Sequence, residues 1–200
     1  MNLQHLELFH ALLIGIGLSA ACGFRVFVPL LGVSIACQTG YLQLSPEFAW
    51  LGSTPALLAF AIATVIEVAA YTVPFIDHLM DTFTTPAAVL AGTLLTASLL
   101  GDTSPFLKWS LAIIAGGGAA GIVQLGTLAV RGGSTLLTGG FGNLVVALLE
   151  LAGSAVMTTL ALLLPVLILA ALLVIVFLVI FYIARRFSAR RRFPPPTIAP

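Results

Sequence analysis

The chain has 200 residues, of which 60% are hydrophobic and only 8% are charged. Soluble domains carry roughly a quarter charged residues, so this composition excludes a soluble globular domain and predicts a single membrane-embedded unit. The net charge of +1 conceals an asymmetry, because five of the eight Lys and Arg residues lie between Arg185 and Arg192. A nucleic-acid-binding role is disfavoured, because no folded basic surface with interleaved aromatic residues is evident.

Proline, glycine and polar clusters divide the chain into about six apolar segments, which predicts an all-α, polytopic transmembrane helical bundle. The segments are Leu8–Cys37, Pro55–Val73, Pro86–Leu100, Phe106–Val130, Leu144–Leu164 and Pro165–Ala184. At about 1.5 Å per residue the first is too long for one straight crossing, so it either begins as an interfacial helix or breaks near Gly23 and Pro29. Only Pro165 separates the last two, so five spans with one long kinked helix are the alternative.

The charge pattern predicts two regions, a transmembrane domain over residues 1–184 and a basic, Pro-rich tail over residues 185–200. Lys and Arg flanking a span tend to stay in the cytoplasm, so we expect a multi-pass protein of the cell (plasma or inner) membrane with a cytoplasmic C-terminus. Arg185–Arg192 would lie at anionic lipid headgroups. The loop Gln38–Thr54 carries no cation and is expected on the outer side, with the N-terminus inside.

Two runs of small residues, Ser19–Gly23 and Gly117–Gly121, resemble each other, and each is followed in the chain by an arginine and then a glutamate. Three spans per half would make the halves antiparallel, as in a diverged 3+3 inverted repeat. The alternative is coincidence, since small-residue runs are common in membrane helices. Gly116–Gly121 also offers a close-packing face to a second copy of the chain, so a homo-oligomer is expected.

Ionisable residues inside predicted spans are the first candidates for function, because they are costly there unless they face protein, water or a counter-charge. Glu67 lies well inside the second span, and Arg25 is its expected partner. Arg131 and Glu150 follow later in the chain, and Glu150 is expected to meet Arg131 or the Glu67 region across the bundle. These four residues form either a transport path or a buried charge network that fixes helix registry.

A polar stripe continues beyond Glu67 with Asp77, His78 and Asp81. On a continuous helix the spacing of Asp77 and Asp81 lets both carboxylates converge on an ion, and all three side chains are metal or cation ligands by type. A solvated turn at the membrane edge is the alternative. The residues do not decide whether a metal binds.

The segment Arg131–Asn143, with sequence RGGSTLLTGGFGN, is the second polar element. Its glycines, Gly139 and Gly140 among them, would let backbone approach a ligand closely in a re-entrant loop. The alternative is a flexible connector with Asn143 capping the helix that follows. A phosphate loop is excluded because no Lys follows the glycines.

These observations favour a small transporter or channel for a cation, a proton or a small solute, since carboxylates along a path favour cations or protons over anions. A non-transporting membrane scaffold or assembly factor is the alternative. An enzyme is not expected, because His5 and His10 lie near the start and His78 stands alone, without a nucleophile and base in a recognisable arrangement. No cofactor is indicated.

Four motifs in this order resemble those of a family of bacterial and plastid-lineage membrane proteins, domain of unknown function 4126. They are GFRVFVPLLGVSIA (Gly23–Ala36), WLGSTPALL (Trp50–Leu58), the intramembrane Glu67 followed by VPFIDHLMD (Val73–Asp81), and STLLTGGFGNLVVALLE (Ser134–Glu150). The resemblance implies an integral membrane helical bundle and no settled activity. Its motif positions are Arg25, Glu67, Asp77, Gly139, Gly140, Asn143 and Glu150. The chain departs from the family pattern where Tyr71, Thr72 and Leu151 replace charged residues. If those charges bind ions in relatives, part of that site is missing here.

Overall fold

A computed structural model describes residues 3–71, 76–101 and 103–163 of the chain, and these residues form helices without a β-strand. The α-helices within them are α1 Leu3–Cys22, α2 Phe27–Gln38, α3 Thr54–Ala70, α4 Ile76–Leu99, α5 Pro105–Leu111, α6 Gly118–Thr138 and α7 Asn143–Leu163. A 3₁₀ segment, Pro46–Gly52, precedes α3, and a π-helical segment, Ala112–Gly117, joins α5 to α6. The predicted all-helical class is therefore confirmed.

Four helical stretches are long and apolar enough to cross a membrane, namely His5–Cys22, Met80–Leu99, Pro105–Thr138 and Asn143–Leu163. A fifth candidate is the pair formed by the 3₁₀ segment and α3, which is bent by 58°. The described residues thus hold four or five candidate spans, as expected for a multi-pass membrane protein. The predicted last span, Pro165–Ala184, and the tail Arg185–Arg192 lie outside the described residues.

Helices α1 and α2 form a V, whose tip we define as residues 23–26. Both arms contact the later part of α7, whereas the tip contacts its earlier part. The contacts are Gly17 of α1 with Ala161, Gly32 of α2 with Thr158, and Arg25 of the tip with Glu150. The arms therefore run from the tip toward the same end of α7. At 12 residues and about 1.5 Å each, α2 spans only about 18 Å, too short to cross the hydrocarbon core.

Both ends of the V lie beside the C-terminal end of α4, which we call the α4–α5 end of the bundle. His5 and Leu8 of α1 line a pocket with Leu99, and Ser45, which follows α2, donates from its backbone N–H to the carbonyl oxygen of Ser98 at 2.9 Å. The break expected near Gly23 is thus present, but the first predicted span does not make a single crossing. The N-terminal part of α1 and the Gln38–Thr54 loop lie at the same end of the bundle, contrary to the predicted topology.

Helices α1, α4 and α6 approach closely through small residues. Ser19 Oγ donates to the carbonyl oxygen of Gly92 at 2.7 Å, and a Cβ placed on Gly92 would lie 2.8 Å from the Cβ of Ala120. Gly116 and Gly117 face α4 in the same way. These two glycines of the face expected to pair with a second copy therefore pack inside the protein. The two similar small-residue runs meet in this interface, but the structure does not confirm an inverted repeat.

Candidate functional site

The tip of the V lies within a buried set of charged and aromatic side chains drawn from five parts of the chain. We define this central cluster as Arg25 of the tip, Glu67 and Tyr71 at the end of α3, Asp81 of α4, Arg131 of α6 and Glu150 of α7. Arg25 is only 2% exposed, and the Asp81 side chain is the most accessible of the charged groups at 16%. The fold thus brings together Arg25, Glu67, Arg131 and Glu150, the four residues predicted to form a transport path or a buried charge network.

Glu150 links the two arginines of the cluster. Its carboxylate accepts hydrogen bonds from Arg131 Nε at 2.8 Å and from Arg131 Nη2, which makes a bidentate pair. The same Glu150 Oε2 lies 3.5 Å from Arg25 Nη2, which also donates to the carbonyl oxygen of Ala147 at 2.9 Å. Glu150 is therefore the shared counter-charge of both buried guanidinium groups.

Tyr71 lies between the arginines and Asp81. The guanidinium carbons of Arg25 and Arg131 lie 4.0 and 3.9 Å from the centre of its ring, so both cations face its aromatic electrons. Its hydroxyl donates to Asp81 Oδ1 at 3.3 Å, and Arg131 Nη1 reaches the same oxygen at 3.1 Å. The sequence interpretation missed this role of Tyr71, although its position one helical turn after Glu67 was a signal for it.

Glu67 has a different task from the other carboxylates. Its two oxygens accept the backbone N–H groups of Val26 and Phe27, at 2.9 and 3.2 Å, and so cap the N-terminus of α2. Helix α2 has no side-chain cap of its own, and a carboxylate there also complements the helix dipole. The ion-pair partner of Arg25 is Glu150, so the expected Arg25–Glu67 pair is replaced by this cap.

The cluster lies inside the bundle. Arg131 is seven residues before the end of α6, and Glu150 is seven residues after the start of α7. At 1.5 Å per residue, both are about 10 Å from the turn that joins these helices, which we call the α6–α7 end. The C-terminus of α1 and the N-terminus of α2 therefore end within the protein, next to buried charges.

A pocket of about 470 Å³ borders the cluster on its α4 and α6 side. It is lined by Asp81, Leu128, Arg131, Gly132, Thr135 and Leu136. Asp81 and Arg131 are the cluster residues in this lining, whereas Glu67 and Glu150 are not part of it. Asp81 and Arg131 are therefore the charged cluster groups that this side of the bundle presents to the pocket.

Two nitrogens of Arg25, Nε and Nη1, are buried without a hydrogen-bond partner among the described residues. Leaving a buried donor unsatisfied costs about 1–3 kcal/mol, more for a charged group. The cluster thus has donor capacity that its own described side chains do not use.

The Gly-rich segment is helical in its first part, whereas Gly139 and Gly140 lie in a turn, as the connector alternative expects. Helix α6 continues to Thr138, and only residues 139–142 form the turn to α7. Gly139 and Gly140 adopt positive φ angles of 64° and 95°, as glycines that end a helix commonly do. Asn143 begins α7 and donates from Nδ2 to Thr135 Oγ1 at 3.0 Å. This geometry is that of a tight connector at the end of the bundle.

The predicted ion ligands separate in the structure. Asp81 belongs to the central cluster and is bound by Arg131 and Tyr71. Asp77 and His78 lie in the first turn of α4, but their side chains are outside the described part of the chain. Among the residues that are described, no group of three or more His, Cys, Asp or Glu side chains is arranged to hold a metal ion. Ion binding by Asp77 and His78 stays a prediction.

The comparisons with known proteins include a match to a family. The sequence model of a family described as "Domain of unknown function (DUF4126)" matches residues 12–185, which include the whole central cluster. Nothing among the curated proteins or the solved structures matches. The match covers most of the chain and agrees with the resemblance of its four motifs, so this multi-pass membrane protein belongs to the DUF4126 family.

Proposed function

We propose that this protein transports a proton or a small cation across the membrane, with the central cluster as its binding site. The observation that carries the proposal is the charge count of the cluster's described side chains. Glu67, Asp81 and Glu150 are three carboxylates, against the two guanidinium groups of Arg25 and Arg131. Among these described side chains the carboxylates outnumber the guanidinium groups by one, and a mostly buried site rich in carboxylates favours uptake of a proton or a cation.

The broken helices support the same function. In many transporters, discontinuous helices end near the middle of the membrane and direct their termini at the ion or substrate. Here α1 and α2 both end at the tip of the V, level with Glu150. Irregular backbone at such depth is tolerated where it is buried in protein or lines a polar cavity. In the proposed path, Asp81 is the entrance group and the Arg131–Glu150 pair lies behind it.

A non-transporting scaffold or assembly factor is the second candidate function. It is favoured by the capping bonds of Glu67, which give that residue a structural task, and by the shared ion pairs of Glu150. In this case the buried charges would fix helix registry and would not exchange with solvent. The two candidates differ in one measurable property, the access of ions to Asp81.

Three further expectations from the sequence belong to this proposal. The protein acts without catalysis and without a cofactor. Its basic residues Arg185–Arg192 contact anionic lipid headgroups on the cytoplasmic side, where the C-terminus lies. It works with a second copy of the chain, through a surface other than Gly116 and Gly117, which face α4.

The test is flux in vesicles that contain the purified protein, with a pH-sensitive dye inside and an imposed proton, Na⁺ or K⁺ gradient. Asp81→Asn is expected to lower flux at least about tenfold, because it removes the entrance carboxylate. Glu47→Gln is the matched control, since it also neutralises an acid, but one that is 67% exposed and paired with Lys108 away from the cluster. Flux that Asp81→Asn leaves intact would contradict the path, and no flux with any of the ions would favour the scaffold.

A further inference from the structure

The charged side chains that the structure describes fall into two layers. The first layer lies at the α4–α5 end, where Glu7 lines a pocket with Leu99 and where Lys108 Nζ lies 3.2 Å from Glu47 Oε2. The second layer is the central cluster. The apolar helices that join the two layers therefore have charged groups at both ends, and the distance between the layers becomes informative about the membrane.

This distance is close to one thickness of the hydrocarbon core. Arg131 follows Lys108 by 23 residues in the helical stretch Pro105–Thr138, which is about 35 Å at 1.5 Å per residue. Leu99, at the end of α4, follows Asp81 by 18 residues, or about 27 Å. No charged residue lies inside either interval. Since the hydrocarbon core is about 30 Å thick, each interval corresponds to one crossing with a charged layer at each boundary.

Aromatic side chains identify the first layer as a membrane boundary. Both tryptophans of the chain lie there, Trp109 in α5 and Trp50 in the 3₁₀ segment that also carries Glu47. Both are half-exposed, and the Trp109 ring packs against Phe48 with ring centroids 6.3 Å apart. Tryptophan is enriched at membrane–water interfaces, because its ring is apolar and its N–H is polar. The exposed carboxylate of Glu47 at the same level also requires a polar environment.

The depth of the second layer follows from the first. One core thickness along α6 and along α4 ends near Arg131 and Asp81, respectively. From Arg131 to the end of α6 at Thr138 is a further seven residues, or about 10 Å. The headgroup region adds only about 5–8 Å on each side of the core, so the α6–α7 turn lies among the headgroups or just beyond them. The exposed Leu136 and Phe141 would then lie in the interfacial zone, which accommodates apolar side chains beside polar groups.

We propose that Trp50 and Trp109 contact the lipid headgroups on one side of the membrane, and that the central cluster lies at the opposite boundary of the hydrocarbon core. The inference does not rest on the proposed function, because it concerns lipid contact and depth and not an ion. It adds a direction to that function. The buried charges are about 10 Å from the α6–α7 end and about 30 Å from the α4–α5 end, so the α6–α7 side is the short route to them.

The first part of the test measures the depth of the two tryptophans by fluorescence quenching of the full-length protein in phosphatidylcholine vesicles. One quencher lipid carries a nitroxide on its headgroup, and another carries it near the end of an acyl chain. Trp50→Phe leaves Trp109 as the fluorophore, and Trp109→Phe leaves Trp50. Phenylalanine keeps a ring at each position, so the contacts with Phe48 and Phe60 are retained. We expect the headgroup nitroxide to quench each remaining tryptophan at least about twofold more than the chain-end nitroxide.

The second part measures the depth of the cluster with a single tryptophan on α6, in a chain that carries both Trp50→Phe and Trp109→Phe. Val130→Trp reports the level of Arg131. Ile122→Trp is the matched control, because it is also more than half exposed on α6 but lies nine residues before Arg131, or about 14 Å deeper in the core. We expect the headgroup nitroxide to quench Val130→Trp more strongly, and the chain-end nitroxide to quench Ile122→Trp more strongly.

Three outcomes would overturn the inference. Stronger chain-end quenching of Val130→Trp would place the cluster in the middle of the core. Stronger headgroup quenching of Ile122→Trp would mean that α6 lies along the membrane surface. Absence of quenching of Trp50 and Trp109 by either lipid would mean that protein or water covers them. These depths are measured without an ion gradient, so the expected depths together with an absence of ion flux would refute the proposed function alone.

Discussion

At the scale of single residues, the carboxylates of the central cluster differ in role and in burial, since Glu67 and Glu150 are buried and Asp81 is partly exposed. Glu150 neutralises two guanidinium groups, Glu67 caps a helix, and Asp81 faces the pocket. Sequence reasoning predicts that Arg25, Glu67, Arg131 and Glu150 are important, because charges in apolar segments are costly. It cannot assign partners, because a carboxylate pairs equally well by type with a guanidinium or with a helix N-terminus, and only the fold decides which one it meets.

Removing the charge of Glu150 should have the largest effect on stability. Breaking a buried pair by removal of one partner costs about 3–5 kcal/mol, and Glu150→Gln leaves two arginines without their shared counter-charge. Adding Arg131→Gln should recover part of the loss, because it removes one of the stranded cations. The measurement is a double-mutant cycle by reversible unfolding in detergent. Strictly additive losses would contradict the pairing.

Glu67→Gln should be milder than Glu150→Gln. The amide oxygen still accepts one backbone N–H at the start of α2, so the loss is that of a weakened helix cap, about 0.5–2 kcal/mol. Glu67→Ala should lose more, because neither N–H of Val26 or Phe27 then has an acceptor. In unfolding measurements, Arg25→Gln should not rescue Glu67→Gln. A clear rescue would instead support the Arg25–Glu67 ion pair that is predicted from the sequence.

At the scale of secondary structure, the sequence predicts that helices form but places some of their ends wrongly. Helix α4 begins at Ile76, ten residues before the predicted start at Pro86, since proline inside a membrane helix is tolerated when neighbouring hydroxyls and helices satisfy the backbone. Helix α6 likewise continues through Gly132 and Gly133. Glycine and proline are therefore weaker helix boundaries here than in soluble proteins.

The glycines of the α6–α7 turn should be sensitive to substitution for a conformational reason. Gly139→Ala and Gly140→Ala should each lower stability by about 1 kcal/mol, because alanine is strained at positive φ. Gly133→Ala is the control, since this residue lies within α6 and a Cβ there meets nothing within 4 Å; it should be neutral or stabilising. The measurement is the melting temperature of each of the three variants. If Gly133→Ala lowers it as much as Gly139→Ala and Gly140→Ala do, the result would contradict the turn geometry.

At the scale of the whole molecule, apolar length and charge bias establish the membrane environment but not the path of the chain. A hydrophobic run of about 30 residues, such as Leu8–Cys37, is compatible with a tilted crossing or with a re-entrant V. The V is selected by contacts far apart in sequence, including those of Gly17 and Gly32 with α7. These contacts leave no periodic signal in the sequence, so the internal helix ends beside Glu150 could not be predicted.

The V has a consequence for topology that labelling can test. Because α1 and α2 return to the same end of the bundle, Glu7 and Tyr41 should lie on one side of the membrane and Phe141, in the α6–α7 turn, on the other. Single cysteines introduced as Glu7→Cys, Tyr41→Cys and Phe141→Cys, in a background with Cys22 and Cys37 replaced by Ala, report this through a membrane-impermeant thiol reagent. Tyr41 and Phe141 are 59% and 90% exposed, so neither side chain is packed inside the protein.

The expected pattern is that Glu7→Cys and Tyr41→Cys react in the same preparation, intact or inverted vesicles, and that Phe141→Cys reacts in the opposite one. If Leu8–Cys37 crosses the membrane once, Glu7→Cys should instead react in the same preparation as Phe141→Cys. Tyr41→Cys should then react in the opposite preparation. The comparison needs no assumption about which side is cytoplasmic, since it asks only which cysteines share a side. Labelling of Glu7→Cys and Tyr41→Cys from opposite sides would contradict the V. It would also contradict the internal helix termini, which support a transport site at the central cluster.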